Sequence, residues 1–106
     1  MRRGEFYRVS RPGDPTQFQI FVIVSRQVLL DSRFSTVICA PVFSEGEGLA
    51  TQVKVGLSEG LKNESWILCD SLVSIRKSDL AQYVGTLASP RLAELDRAII
   101  VALDLR

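Results

Sequence analysis

Two apolar stretches followed by one helical pattern constrain the fold of this chain most strongly. The stretches are FSTVICAPV at residues 34–42 and SWILCDSLVSI at residues 65–75, and both are rich in β-branched residues. Short runs of this kind that end at polar residues are typical of buried β-strands. Residues 89–105, SPRLAELDRAIIVALDL, carry apolar side chains at helical spacing. Ser89 is a suitable N-cap and Pro90 suits the first helical position, so the pattern predicts a C-terminal helix.

The rest of the chain predicts further short strands separated by turn residues. The predicted strands are residues 5–9, 18–25, 35–42, 51–55, 66–70, 72–75 and 83–87. The segment Arg11-Pro-Gly-Asp-Pro15 is dense in turn formers and should end the first strand. Many short strands with one terminal helix predict a mainly β (α+β) fold, a strongly bent sheet or partial barrel closed by the helix. A chain of this length suits one domain, so we expect residues 1–106 to form a single unit.

The C-terminal helix carries more apolar surface than one small sheet can cover. Residues 98–103, AIIVAL, are apolar on nearly every side. A helix that is apolar all round is either buried deeply or contacts another molecule. The sequence leaves open a dimer contact and a deeply seated core helix.

Composition excludes several classes of function. The chain has no histidine, so a histidine-dependent nuclease mechanism is excluded. Its two cysteines, Cys39 and Cys69, lie in predicted strands, whereas a zinc site needs about four ligands. We therefore expect no metal and no other cofactor, and two buried thiols in a reducing compartment. No apolar run reaches the roughly 18 residues of a membrane span, and the N-terminus lacks a signal-peptide core, so we expect a cytoplasmic protein.

Charge is unevenly distributed along a nearly neutral chain. Residues 1–36 carry six arginines against three carboxylates, a balance of +3, and the remainder carries seven basic and nine acidic residues, a balance of −2. A basic N-terminal third is compatible with binding phosphates and equally with ordinary solvated arginines.

Six sequence pieces follow one another in order between Arg2 and Leu105, namely RRGEF, FVIVSRQ, STVICAPV, GLATQVKV, ILCDSLVSIRKSDL and YVGTLASPRLAELDRAIIVAL. Together they resemble the MazF/PemK family, the toxin ribonucleases of bacterial toxin–antitoxin pairs. The resemblance implies an SH3-like partial barrel of the CcdB/MazF type that forms a homodimer. It also implies metal-free cleavage of single-stranded RNA, chiefly mRNA, that leaves a cyclic phosphate and a 5′-hydroxyl. The implied partner is an antitoxin whose disordered tail blocks the RNA groove.

The resemblance implies Gln19 and Ser44 as the catalytic positions. The family's main catalytic residue is the Arg of an Arg-Pro pair at the start of the second strand, and Gln19-Ile20 matches that place. Glutamine has no permanent charge and transfers no proton. The family's hydroxyl comes from a Thr soon after the third-strand Pro, where this chain has Phe43 and then Ser44. Ser44 either supplies that hydroxyl or bonds a nearby backbone group in its loop.

Four further residues are candidates for contacting RNA. Arg11 lies in the turn-rich loop that lines the RNA groove in the family, or it is a solvated loop charge. Arg26 follows the second strand and binds phosphate or pairs with Asp31. Phe43 stacks on a base or packs in the core. Asp70 matches the family's acidic position, where hydrogen bonds organise the groove.

Three functions from different classes remain open from the sequence. The first is a metal-independent endoribonuclease toxin that a cognate antitoxin inhibits. The second is a catalytically weak or silent binding protein that keeps the fold and lacks the arginine at position 19. The third, more distant, is a gyrase poison like CcdB. The RRGEF start and the GLATQVKV piece favour the endoribonuclease.

Overall fold

The computed structural model describes residues 1–105 and contains one antiparallel sheet with two helices. The strands are β1 (Glu5–Arg11), β2 (Asp14–Ile23), β3 (Thr36–Phe43), β4 (Gln52–Val55), β5 (Ser65–Leu68), β6 (Val73–Arg76) and β7 (Gln82–Thr86). The helices are α1 (Gln27–Leu30) and α2 (Ser89–Leu103), with single 3₁₀ turns at Leu57–Glu59, Cys69–Ser71 and Lys77–Asp79. The strand order is β4-β5-β3-β2-β1-β7, and β6 pairs with β3.

Strand β3 is where the sheet divides and curls. Its residues 39–42 pair with β2, its end at Val42 and Phe43 pairs with β5, and residues 36–39 pair with β6. Strand β3 thus pairs with three other strands. The sheet bends into a half-barrel, and α2 packs against it. This architecture confirms the predicted mainly β partial barrel with a C-terminal helix.

The sheet has an apolar core on each face. Val22 and Ile23 are adjacent in β2 and both fully buried, so the end of this strand is buried on both faces. Val22 belongs to the cluster that includes Leu95 and Ala98 of α2. Ile23 belongs to the other cluster, which includes Tyr7, Leu30, Val37, Cys39 and Leu80.

Both cysteines lie in these cores as free thiols. Cys39 and Cys69 are almost completely buried. Burial raises the pKa of the Cys39 thiol to about 12. Burial, with the charge of Asp70 as a second cause, raises the pKa of Cys69 to about 11. The low exposure of both thiols confirms the prediction that they are buried, and the raised pKa values keep them protonated at neutral pH.

The strands of the β1–β2 hairpin extend further than we predicted from the turn-rich segment between them. Strand β1 continues to Arg11 and β2 starts at Asp14, so only Pro12-Gly13 form the turn. The prediction that Arg11–Pro15 ends the strand pairing was wrong because Gly13, at φ +82°, allows a tight turn. The register shifts between Ser10 and Arg11, and this bulge accommodates Pro15, which has no amide hydrogen to donate.

Helix α2 begins one residue away from the predicted cap. Ala88 is the N-cap, and its backbone is extended and makes no side-chain cap, so Ser89 is already helical. Leu95 and Ala98 are buried, but Ile100, Val101 and Leu103 remain about half exposed. The helix therefore seats one face in the core and presents a second apolar face to solvent. Neither helix within residues 1–105 has the length and hydropathy to cross a membrane.

Candidate functional site

Two grooves flank the free end of the β1–β2 hairpin. The hairpin groove, of about 290 Å³, is lined by Val9, Ser10, Arg11, Pro12, Gln17, Phe18, Gln19 and Phe21. The arginine groove, of about 240 Å³, is lined by Arg8, Phe18, Ile20, Val42, Ser44, Gly60, Leu61, Lys62, Asn63, Ser65 and Val84. Side chains alternate across the two strands, which pair Val9 with Gln19 and Arg8 with Ile20. Gln19 and Arg8 therefore face opposite sides of the hairpin, and Phe18 lines both grooves.

Gln19 is half-buried in the hairpin groove and is held by backbone carbonyls. Its amide Nε2 donates to the carbonyl of Val42 at 2.6 Å and to that of Ile20 at 3.1 Å. These bonds direct the amide hydrogens toward the edge between β2 and β3. A neutral amide in this orientation cannot supply the charge or the proton of a guanidinium.

Arg11 is the cation that the structure brings to Gln19. It is exposed at the tip of the hairpin and lines the same groove as Gln19 and Phe18. No carboxylate within residues 1–105 forms a salt bridge with Arg11. A guanidinium in this position is free to bind a phosphate through its planar donors.

Arg26 lies away from both grooves. It is the exposed N-cap residue of α1, and the alternative pairing with Asp31 was wrong. The carboxylate of Asp31 instead accepts a hydrogen bond from Nε2 of Gln27 at 3.0 Å.

Ser44, Phe43 and Asp70 occupy three different places. Ser44 follows β3 and lines the arginine groove, so it is not in the same groove as Gln19. Phe43 is 44% exposed, so its ring is available at the end of β3. Asp70 lines neither groove, and its Oδ2 accepts a hydrogen bond from the hydroxyl of Thr51 at 2.6 Å. Asp70 therefore joins the 3₁₀ turn after β5 to the segment that leads into β4.

Sequence reasoning missed Arg8 in the arginine groove. Its Cζ lies 4.1 Å from the centroid of the Phe18 ring, a cation–π geometry. Its Nε is buried and has no hydrogen-bond partner among the described residues. A signal was present, because Arg8 occupies the same face of β1 as Phe6, which is fully buried.

Tyr7 is not available as a base at neutral pH. Its hydroxyl donates to Oε1 of Glu5 at 2.9 Å, and its ring meets that of Tyr83 edge-on at 5.9 Å. Burial, followed by the hydrogen bond to Glu5, raises the pKa of Tyr7 to about 12. In the described part of the chain no three His, Cys, Asp or Glu side chains are grouped so as to hold a metal ion.

The curled sheet and terminal helix have the fold of MazF-type toxins. The structure of Mycobacterium tuberculosis toxin MazF-mt6 superposes with a TM-score of 0.84 at 27% identity, covering 96% of this chain and 98% of that chain. An endoribonuclease in complex with its cognate antitoxin, from a mycobacterial species, superposes with a TM-score of 0.85 at 21% identity. That match covers 100% of this chain and 97% of the other.

Sequence comparison assigns the chain to a family. The model of the PemK-like, MazF-like toxins of type II toxin–antitoxin systems matches residues 2–103, and the chain belongs to this family. Endoribonuclease MazF3 of Mycobacterium tuberculosis is 33% identical over 84 residues, which are 79% of this chain and 81% of that protein. The resemblance inferred from the six sequence pieces is thereby confirmed.

Proposed function

We propose that this toxin is a metal-independent endoribonuclease that cleaves single-stranded RNA, chiefly mRNA, in the cytoplasm. Family membership and the relative named endoribonuclease MazF3 support this function. The observation that carries it is the hairpin groove, where Arg11, without a salt bridge in the described chain, lies beside Gln19. Gln19 is the position that the family resemblance marks as catalytic.

The proposed chemistry requires three events around one phosphate. The 2′-hydroxyl loses a proton, the phosphorane is stabilised, and the leaving 5′-oxygen gains a proton. Arg11 is suited to the phosphorane because a guanidinium matches phosphate oxygens in shape and charge. Gln19 contributes a neutral contact only, so we expect slow cleavage. Ser44 would assist from the neighbouring groove.

The remaining candidates have supporting roles in this proposal. Phe43 presents an exposed ring on which a base can stack. Arg26 is exposed and would contact a phosphate outside the grooves. Asp70 would act indirectly, through its hydrogen bond to Thr51.

The decisive experiment restores the charge at position 19. Gln19→Arg should raise single-turnover cleavage of a long RNA by about a hundredfold, because one electrostatic contact to the transition state typically has that effect. Ser44→Ala in the Gln19→Arg protein should lower the rate again. Gln17→Arg is the matched control, since it adds the same charge to the same groove at a position without a catalytic role. Chelator should leave every rate unchanged.

Two results would contradict the catalytic proposal. One is a well-folded Gln19→Arg protein that cleaves no faster than the parent chain. The other is activity that disappears with chelator and returns with magnesium. A parent chain without cleavage, together with an inactive Gln19→Arg protein, would favour the second candidate function.

The second candidate is a catalytically silent toxin-like protein that binds a partner through the preserved fold. The observation that favours it is the Gln19 amide, which donates to backbone carbonyls and not into the groove. Antitoxin binding without any RNA cleavage, in both the parent chain and Gln19→Arg, would support this function.

We also propose that the protein forms a homodimer and binds a cognate antitoxin. The exposed apolar surface at Ile100, Val101, Leu103 and Leu105 supports an interface. A structurally similar endoribonuclease was solved in complex with its cognate antitoxin, and this supports an antitoxin as a partner of the present chain. Light scattering should show a dimer at micromolar concentration, and Val101→Glu should shift it toward monomer if this surface is the interface. A monomeric parent chain would overturn the dimer.

A further inference from the structure

We propose that the arginine groove binds a phosphate of the same RNA strand that occupies the hairpin groove. The site is formed by Arg8 and Lys62, with Asn63 as an additional donor. This inference rests on the proposed RNA-cleaving function. It adds a second binding position on the opposite face of the hairpin.

The first argument is the unsatisfied donor of Arg8. Burying a charged N–H group without an acceptor costs free energy, and folded proteins normally avoid it. The Nε of Arg8 is buried in this way. The Phe18 ring attracts the guanidinium from one side but accepts no hydrogen bond of ordinary strength. The described residues therefore leave part of the hydrogen-bonding capacity of the Arg8 guanidinium unused.

The second argument is the composition of the groove. Two of its lining side chains, Arg8 and Lys62, are basic, and none of the described residues that line it is acidic. Neither cation forms a salt bridge within residues 1–105. The groove therefore holds positive charge that is not neutralised by the protein.

The third argument concerns the class of anion. Apolar side chains from three strands and a loop form the remaining walls, namely Ile20, Val42, Leu61 and Val84. Cations beside apolar walls suit a nucleotide, whose phosphate is charged and whose base has an apolar face. Phe18 lines both grooves, so a strand lying beside Gln19 can continue past Phe18 to Arg8. This continuity favours RNA over a separate acidic peptide.

The test measures binding to an RNA that the protein cannot cleave. The probe is a mixed-sequence 12-mer with 2′-O-methyl groups throughout, because methylation removes the attacking hydroxyl. Arg8→Gln should weaken binding about tenfold at low salt. It should also lower the slope of log affinity against log salt by about 0.7, the value for one phosphate of a single strand. Arg97→Gln is the matched control, since it removes the same charge from an exposed position on α2.

A series of modified RNAs identifies the phosphate. Each probe carries one neutral methylphosphonate linkage in place of a phosphate. One linkage should weaken binding of the parent chain and have no effect on Arg8→Gln, because both changes remove the same contact. Lys62→Gln provides a second variant that does not depend on a buried residue. It should weaken RNA binding in the same direction.

Each outcome decides between the two proposals. If the parent chain binds RNA and both Arg8→Gln and Lys62→Gln behave like Arg97→Gln, the arginine groove is not a phosphate site and the endoribonuclease proposal stands. If the parent chain shows no salt-dependent RNA binding, both proposals fail. If Arg8→Gln weakens binding of a hexaglutamate peptide but not of RNA, the groove binds acidic protein segments and the inference is wrong.

Discussion

Arg8 and Arg91 are both partly buried arginines, yet their surroundings differ completely. Arg91 Nη1 lies 3.0 Å from Oε2 of Glu59, and its Nε lies 2.7 Å from Oε2 of Glu94. Arg91 also donates to the carbonyl of Lys54. The hydrogen bond to Glu94 is the main cause that raises the pKa of Arg91 above its ordinary value. Arg8 contacts the Phe18 ring and forms no salt bridge within residues 1–105. Arg91 is thus neutralised by carboxylates of its own chain, whereas Arg8 is not neutralised by any carboxylate among the described residues.

The same contrast extends to the regions around the two arginines. On the α2 side, Arg3 pairs with Asp96 at 2.7 Å and Lys54 pairs with Glu64 at 3.4 Å. On the hairpin side, neither Arg11 nor Lys62 has a salt-bridge partner in the described part of the chain. A cation that is already paired with a carboxylate attracts a phosphate only weakly. Carboxylate partners therefore distinguish Arg3, Lys54 and Arg91 from the cations of the grooves, but a missing partner does not by itself mark a binding residue, since Arg97 on α2 has no salt bridge in the described chain either.

The largest effect should come from Gly85, which packs directly against the backbone of Glu59, the residue with the buried carboxylate. A Cβ at this position would overlap the backbone carbonyl of Glu59. Gly85→Ala should destabilise the protein by about 3 kcal/mol, because the 3₁₀ turn and β7 would have to separate. Urea unfolding measures the loss. Gly56→Ala is the control, since its Cβ would come no closer than 3.7 Å to Glu64. Equal losses would contradict the close-approach argument.

The next largest effect should come from removing the cation that neutralises Glu59. Glu59 is only 3% exposed, and Arg91→Met would leave its carboxylate buried without its partner. We expect a loss of about 2 kcal/mol, which is below the roughly 3–5 kcal/mol of a fully buried pair because Arg91 is partly solvated. Arg76→Met removes an exposed pair with Asp79 and should cost about 0.5 kcal/mol or less. If Arg91→Met and Arg76→Met lost similar amounts of stability, the buried and the exposed ion pair would not differ in their contribution to the fold.

In the hairpin groove, Arg11 should affect RNA affinity and not stability. Arg11→Ala should weaken RNA binding several-fold and reduce the salt slope by about 0.7, because one phosphate contact is lost. The melting temperature should not change. Arg33→Ala, which removes an exposed arginine outside both grooves, should bind RNA normally. Fluorescence anisotropy at several salt concentrations measures both variants, and identical behaviour would make Arg11 a solvated charge.

The smallest effect has the opposite sign. Arg8→Met should stabilise the protein by about 0.5 kcal/mol, because it removes a buried donor without a partner and keeps apolar contact with Phe18. Arg91→Met, with the same chemical change, should destabilise it. Urea unfolding of the two variants side by side tests the comparison directly. A loss of stability in Arg8→Met similar to that in Arg91→Met would show that Arg8 is structural.

The elements of this fold could be predicted because their signals are local. The alternation of Val53 and Val55 with Gln52 and Lys54 predicts β4, and the structure buries the two valines. The predicted ends of the strands were less accurate where pairing with a neighbouring strand determines where a strand ends. Arg11 and Asp14 extend the hairpin because they pair with each other across the turn, which outweighs the local preference of proline and aspartate for loops.

The functional features can be separated in the same way. Some follow from residue identity, and others depend on the tertiary structure. The sequence alone excludes a catalytic histidine and, through its order of motifs, identifies the toxin family. It also has a glutamine, Gln19, at the position where the resemblance implies the family's arginine. Only the fold decides that Gln19 and Ser44 lie in different grooves, because strand pairing sets which side chains share a face. Only the fold shows that Arg91, besides its neighbour Glu94 on α2, also meets Glu59, which is distant in sequence, and that Arg8 forms no salt bridge within residues 1–105.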